Sequence, residues 1–322
     1  MLNASRALAR TVDLKIGWNR IGIVISLLIV SIAAVTLYNL LHDIQFDKVV
    51  SALREKSSRT VVIACVFVAG GYVTLTFYDF FSLRTIGRSE VPYRIAALAS
   101  FTSYSIGHNL GATTLTAGIV RYRIYSAWGL GILDVAKMGF VTGLTFWLGN
   151  AFVLGLCTAY APEIAGAVTQ LPPWANRILA LAALAVIAVY LVWLLPRPRV
   201  IGRNDWRITL PNARLTLVQI GIGVLDLGCG ALAMYTLLPA APIDIVPVLV
   251  TFVMSTLLGF LSHVPGSLGV FEASMLIGLP GVEKEQLLAS LLLFRLLYFV
   301  IPLLFAALLL GAREFYMAIR AG

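Results

Sequence analysis

Apolar runs of membrane length alternate along the chain with short basic segments. Six runs are uninterrupted and cover approximately residues 18–41, 61–83, 136–158, 176–195, 214–238 and 286–311. Each meets the ~20 apolar residues that a helix needs to cross the hydrocarbon core. Two more stretches, 93–118 and 247–280, are equally apolar but broken, by GHNLG at 107–111 and by SHVPGSLGVFE at 262–272. Irregular backbone at membrane depth has to be buried in protein or line a water-filled cavity, because lipid satisfies no N–H or C=O group. The pattern predicts an all-α polytopic membrane protein. It has about six full spans and two broken helical hairpins that dip in and return to the side they came from.

Composition agrees with this. The 322 residues are 60% hydrophobic and only 12% charged, and the mean hydropathy is +0.92. A soluble domain is about half apolar and a quarter charged. The net charge of +9 does not point to nucleic acid, since the basic residues lie between the apolar runs, where the positive-inside rule puts them. With the N-terminus inside and both hairpins returning, seventeen Lys and Arg fall on inside segments and six on outside ones. A basic lead (Arg6, Arg10, Lys15, Arg20) precedes the first run. That run is longer than the roughly 7–15 residues of a signal-peptide core, so it is read as a span.

The chain therefore reads as one integral membrane domain, 1–322, made of two halves, 18–158 and 176–311, on one inverted plan. Both breaks carry His-x-x-Gly, at His108/Gly111 and His263/Gly266, and an acid precedes each, Asp79 and Asp226. Inverted repeats with broken helices near the midplane are the architecture of many secondary transporters.

The chemistry sits at the breaks. An ionisable side chain at the bilayer centre costs roughly 2.5–3.5 kcal/mol on insertion scales and marks a functional site by default. Asp226 lies near the middle of its run, whereas Asp79 lies near a helix end with water within reach. Glu272 follows the second break, and Arg295 in the last span is a partner for any of the three acids. Arg121 and Arg123 close the first broken stretch, and their guanidinium forks suit phosphate oxygens. His108, Asn109 and His263 add polar groups at the breaks. Three histidines in the whole chain, without ligand spacing, give no expectation of a metal. The cysteines Cys65, Cys157 and Cys229 each lie in an apolar run and read as small core residues. No phosphate-binding loop is present, no nucleophile, base and orienting group come together, and no cofactor is expected.

HNLGATTLTAGIVRYRIY (108–125) together with SHVPGSLGVFEA (262–273) resembles the transmembrane region of the lysylphosphatidylglycerol synthase (multiple peptide resistance factor) family and its stand-alone relatives. The resemblance covers nearly the whole chain in span count and order. It implies a multi-pass protein of the bacterial inner membrane, a lipid flippase that moves aminoacylated phosphatidylglycerol between leaflets. The aminoacyl-transferase domain of the full enzyme has no counterpart in the 322 residues, so no enzymatic activity is expected. Membrane phospholipids are the expected partners, a separate lipid-modifying synthase fits beside them, and self-association is left open. Phosphate would be met by Arg121 and Arg123, and an amine by Asp79, Asp226 or Glu272. Two other readings stand against this one: a proton-coupled transporter of a small solute, and an accessory membrane protein of lipid modification, for example of hopanoids. A lateral gap beside the breaks favours the lipid reading.

Overall fold

Helix accounts for nearly all of the chain that the computed structural model describes, residues 46–321 apart from Ala112, 196–198, 204–205 and 240–243. The expected first span, 18–41, lies outside the described residues. The next expected spans appear as α2 (Ser58–Thr85), α5 (Ile132–Tyr160), α7 (Pro173–Trp193) and α8 (Ala213–Leu237). The last runs from α11 (Lys284–Arg295) through a π turn (Leu296–Val300) into α12 (Ile301–Ala321). Local chemistry fixes the starts. Ser57 accepts from the Thr60 N–H at 3.1 Å and Asn212 from the Leu215 N–H at 2.9 Å, each an N-cap that satisfies an orphan donor. Proline opens α7, where its missing N–H costs nothing.

Both interrupted stretches are helical hairpins. The first is α3 (Tyr93–Leu110) and α4 (Thr113–Tyr125), and the second is α9 (Ile245–Ser262), a turn at Pro265–Ser267, and α10 (Val270–Gly278). The limbs fold back on each other. Thr113 Oγ1 donates to Gly107 O at 3.3 Å in one, and Thr251 Oγ1 to Gly278 O at 3.2 Å in the other. At ~1.5 Å per residue, α3 and α9 are each ~27 Å long, so both first limbs reach deeper than a shallow dip. α9 is long and apolar enough to cross by itself.

Three elements depart from the sequence reading. The basic loop after the first run contains an amphipathic helix, α1 (Phe46–Arg54), which buries Val49 and Ala52 with Ala289 of α11. A short helix, α6 (Pro162–Thr169), joins α5 to α7. The basic segment between α7 and α8 forms a two-stranded hairpin, β1 (Val200–Arg203) with β2 (Trp206–Thr209).

Helix directions follow from contacts. Gly70 and Gly71 meet Cys229 while Tyr78 meets Asp226, so α2 and α8 run antiparallel. Gly149 meets Gly223 and Gln219 donates to Thr145 Oγ1 at 2.9 Å, so α5 and α8 run parallel. A Cβ on Gly149 would stand 2.6 Å from Gly223 Cα. Small residues let backbones touch in membranes, where no hydrophobic force drives helices together. Because α2 and α8 are antiparallel, the hairpins that follow them enter from opposite ends.

Candidate functional site

The two breaks meet tip to tip. Gly111 holds φ +74°, and a Cβ there would stand 2.9 Å from Pro265 N and 3.0 Å from His263 O. Only glycine gives both that backbone and that approach. Gly266, the other His-x-x-Gly glycine, is also left-handed at φ +60°. His263 and Ser267 are non-glycine residues at φ +56° and +52°, a conformation that concentrates at functional sites.

A cavity of about 260 Å³ lies beside this junction. Its walls include Tyr78, Tyr104, His108, Thr113, Thr114, Arg121, Asp226, His263 and Ser267, with Phe146, Trp147 and Phe260 on the apolar side. Both halves of the chain thus supply it. Two wall residues, Leu115 near the start of α4 and Trp147 at the middle of α5, are 73% and 45% exposed. Apolar residues this exposed on a cavity wall fit an opening between α4 and α5.

Asp79 and Arg121 form a closed unit. Arg121 Nη2 donates to Asp79 Oδ1 at 2.7 Å and Nε to both carboxylate oxygens at 3.0 Å. The Tyr125 hydroxyl donates to Oδ2 at 2.9 Å, and the Arg121 guanidinium lies 4.7 Å above the Tyr104 ring. Asp79 is fully buried, which corrects the expectation that it reaches water. Arg121 lines the cavity with Nε and Nη2 already on Asp79, so its charge is met by an acid of the chain. Arg123, two residues further along α4, is exposed and is not among the cavity-lining residues. A helix turns 100° per residue, so the pair cannot converge on one phosphate.

Glu272 and Arg295 are partners, which decides the open question of where Arg295 goes. Arg295 Nε bonds Glu272 Oε1, Nη1 donates to Gly266 O at 2.7 Å, and Nη2 to Ser267 O at 3.3 Å. Glu272 also accepts from the Gly269 N–H at 2.8 Å, capping α10. The two residues clamp the second break and do not line the cavity. Asn109 does the same for the first break, donating to Ser105 O at 2.8 Å and to Phe299 O at 3.1 Å. The Phe299 carbonyl belongs to the π turn, whose wider winding frees backbone acceptors.

Asp226 is different. It is 8% exposed, at the middle of α8 and on the cavity wall. Tyr78 donates to Oδ2 at 3.2 Å, while Oδ1 is buried with no hydrogen-bond partner. His108 and His263 reach the cavity from the two tips, and the His108 ring packs at a tilt against Tyr104 with centroids 5.6 Å apart. Sequence reasoning missed Tyr78 and Tyr104. A tyrosine deep in an apolar run was the available signal, since a buried hydroxyl needs a partner.

No protein-family model matches the chain. Inner membrane protein YbhN of Escherichia coli is 28% identical over 275 residues, covering 82% of this chain and 83% of its own. With six apolar spans among the described residues, that likeness settles where the chain resides. It is a multi-pass protein of the bacterial inner membrane. Protein slr0712 of Synechocystis is 29% identical over 292 residues, 89% of each chain. The phosphatidylglycerol lysyltransferase of Staphylococcus aureus is 23% identical over 294 residues, which are 88% of this chain but 32% of that enzyme. The chain thus spans about a third of the length of that relative.

Proposed function

We propose that the chain moves an amine-bearing phospholipid, such as aminoacylated phosphatidylglycerol, between the leaflets of the inner membrane. The observation that carries this reading is a cavity where the two broken helices meet, with polar groups among a mainly apolar lining and the exposed Leu115 and Trp147 on its wall. A solute carrier needs doors to the two aqueous faces, and a side door at Leu115 and Trp147 serves only a molecule whose tails stay in lipid. At about 260 Å³ the cavity is below the roughly 300–1,000 Å³ of drug-sized pockets. It suits a headgroup and not a whole lipid.

The polar groups match such a headgroup. Thr113 and Thr114 open α4 on the cavity wall, and no acid stands in the first turn of that helix. Its N-terminal N–H groups and dipole favour a phosphate there. α10, by contrast, has its N-terminus occupied by Glu272. Asp226 offers the amine a carboxylate oxygen that nothing else uses. Likeness to a lysyltransferase of phosphatidylglycerol supports a lipid of that class.

Cells overproducing the chain should present more amine-bearing phospholipid to an impermeant amine-reactive reagent, with total lipid composition unchanged. An outer leaflet that does not change sinks the proposal.

A further inference from the structure

We infer that Asp226 is an exchange site, carrying a proton when no amine is bound and releasing it when a cationic amine docks, so that headgroup movement one way is coupled to proton movement the other. The inference rests on the proposed lipid transport and adds its energy source.

The geometry begins with charge. The ionisable groups within electrostatic reach of Asp226 are Tyr72 and Tyr78 of α2, Tyr104 of α3, Cys229 on its own helix and Tyr298 of the π turn. Their reference values leave all of them neutral near pH 7. α5 and α9, which also flank α8, bring threonines to the cavity, Thr142 and Thr256. Three other basic groups share the cavity. Arg121 is matched by Asp79, His108 leans on the Tyr104 ring, and His263 Nδ1 bonds the Leu261 carbonyl at 2.8 Å. Among the described residues Asp226 therefore has no cation paired with it, and a bare buried carboxylate is costly. Tyr78 gives it one neutral hydrogen bond and leaves Oδ1 bare. Two neutral states remain: a protonated acid, or a carboxylate paired with a cation from outside the chain. Among the described residues no group of three His, Cys, Asp or Glu could hold a metal ion, and Asp226 stands on the wall of the cavity that an ammonium would enter, its buried Oδ1 meeting the ammonium once the carboxylate turns. The proton that leaves Oδ passes to water on the open side. The O–H bond is replaced by an ion pair, and the site is neutral before and after.

Asp79 cannot do this. Its charge is spent on Arg121, as that of Glu272 is on Arg295, so among these three acids Asp226 is the exchangeable one.

The full chain is reconstituted in vesicles with an acyl-labelled fluorescent phosphatidylethanolamine, with acyl-labelled phosphatidylglycerol as the probe without an amine. Membrane potential is clamped with potassium and valinomycin. A gradient of one pH unit should skew the amine probe up to about tenfold between leaflets, the limit for one-for-one exchange. The phosphatidylglycerol probe should not respond. Movement of the amine probe should shift a lumenal pH dye, and Asp226→Asn should lose that shift while eluting as a folded, monodisperse protein. Asp226→Glu should keep part of it. Amine-selective movement that ignores the pH gradient, or follows a sodium gradient instead, overturns the coupling and leaves the lipid reading intact. A pH-dye shift that persists in Asp226→Asn overturns the role of this residue. Loss of all headgroup-selective movement overturns the lipid reading and the exchange with it.

Discussion

At the residue scale, two buried acids have opposite roles because one has a cation and the other does not. Breaking a buried ion pair leaves a bare charge and costs about 3–5 kcal/mol. Arg121→Ala and Asp79→Asn are therefore each expected to lower folded yield and thermal midpoint sharply. The double change Asp79→Leu with Arg121→Met should recover most of the yield, measured as the monodisperse fraction. Arg123→Ala, on the exposed face of α4, should lose much less than Arg121→Ala in the same measurement. Asp226→Asn removes a charge that has no partner in the chain, so its yield should hold. The sequence displayed all four residues. It could not display their pairing, because Asp79 and Arg121 lie 42 positions apart and meet only once α4 folds back along α3. The halves also differ by a residue. Counting ten positions past the glycine of each break gives Arg121 in one half and Leu276 in the other, so the second half lacks the cation that occupies Asp79.

At the scale of elements, the breaks were plain in the sequence because glycine and proline interrupt apolar runs. Their clamps were not. Asn109, Glu272 and Arg295 are polar residues beside a break, and from sequence alone such residues read equally well as ligand contacts. The structure spends Glu272 and Arg295 on the backbone of the second break and on each other, and Asn109 on carbonyls of α3 and the π turn. Gly111→Ala should be among the most damaging of small changes. It adds left-handed strain of roughly 1–2 kcal/mol and drives a Cβ against the Pro265 backbone. Gly118→Ala, on the same hairpin with open space around it, should be tolerated and should serve as the control in a comparison of melting temperature. The hairpin β1–β2 and the helix α1 escaped notice for a different reason. Both are short amphipathic elements, and a reading tuned to spans of ~20 residues does not register them. α1 adjoins a further contact, in which Lys56 donates to Leu237 O at 2.6 Å at the end of α8. Burial there holds the Lys56 ammonium below its ordinary range.

For the whole molecule, the two halves 18–158 and 176–311 are expected to be inverted copies, with β1–β2 on the cytoplasmic side and α6 on the opposite side. Cysteine at Arg207 should then resist impermeant thiol reagents in intact cells, and cysteine at Glu163 should react. Both positions are exposed, so the contrast reports sidedness and not burial. Labelling of Arg207→Cys from outside contradicts the arrangement.

The tip-to-tip contact also bears on how the protein is made. The first hairpin ends in backbone groups that lipid cannot satisfy, and the surface that covers them, Val264 to Gly266, is translated some 150 residues after Gly111. Until then the nascent chain holds an unfinished turn at membrane depth, a costly state there. The N-terminal half is thus dependent on its successor during biogenesis. A ribosome that stalls between the halves should leave a product that membrane proteases remove, while two halves co-expressed as separate chains should protect each other.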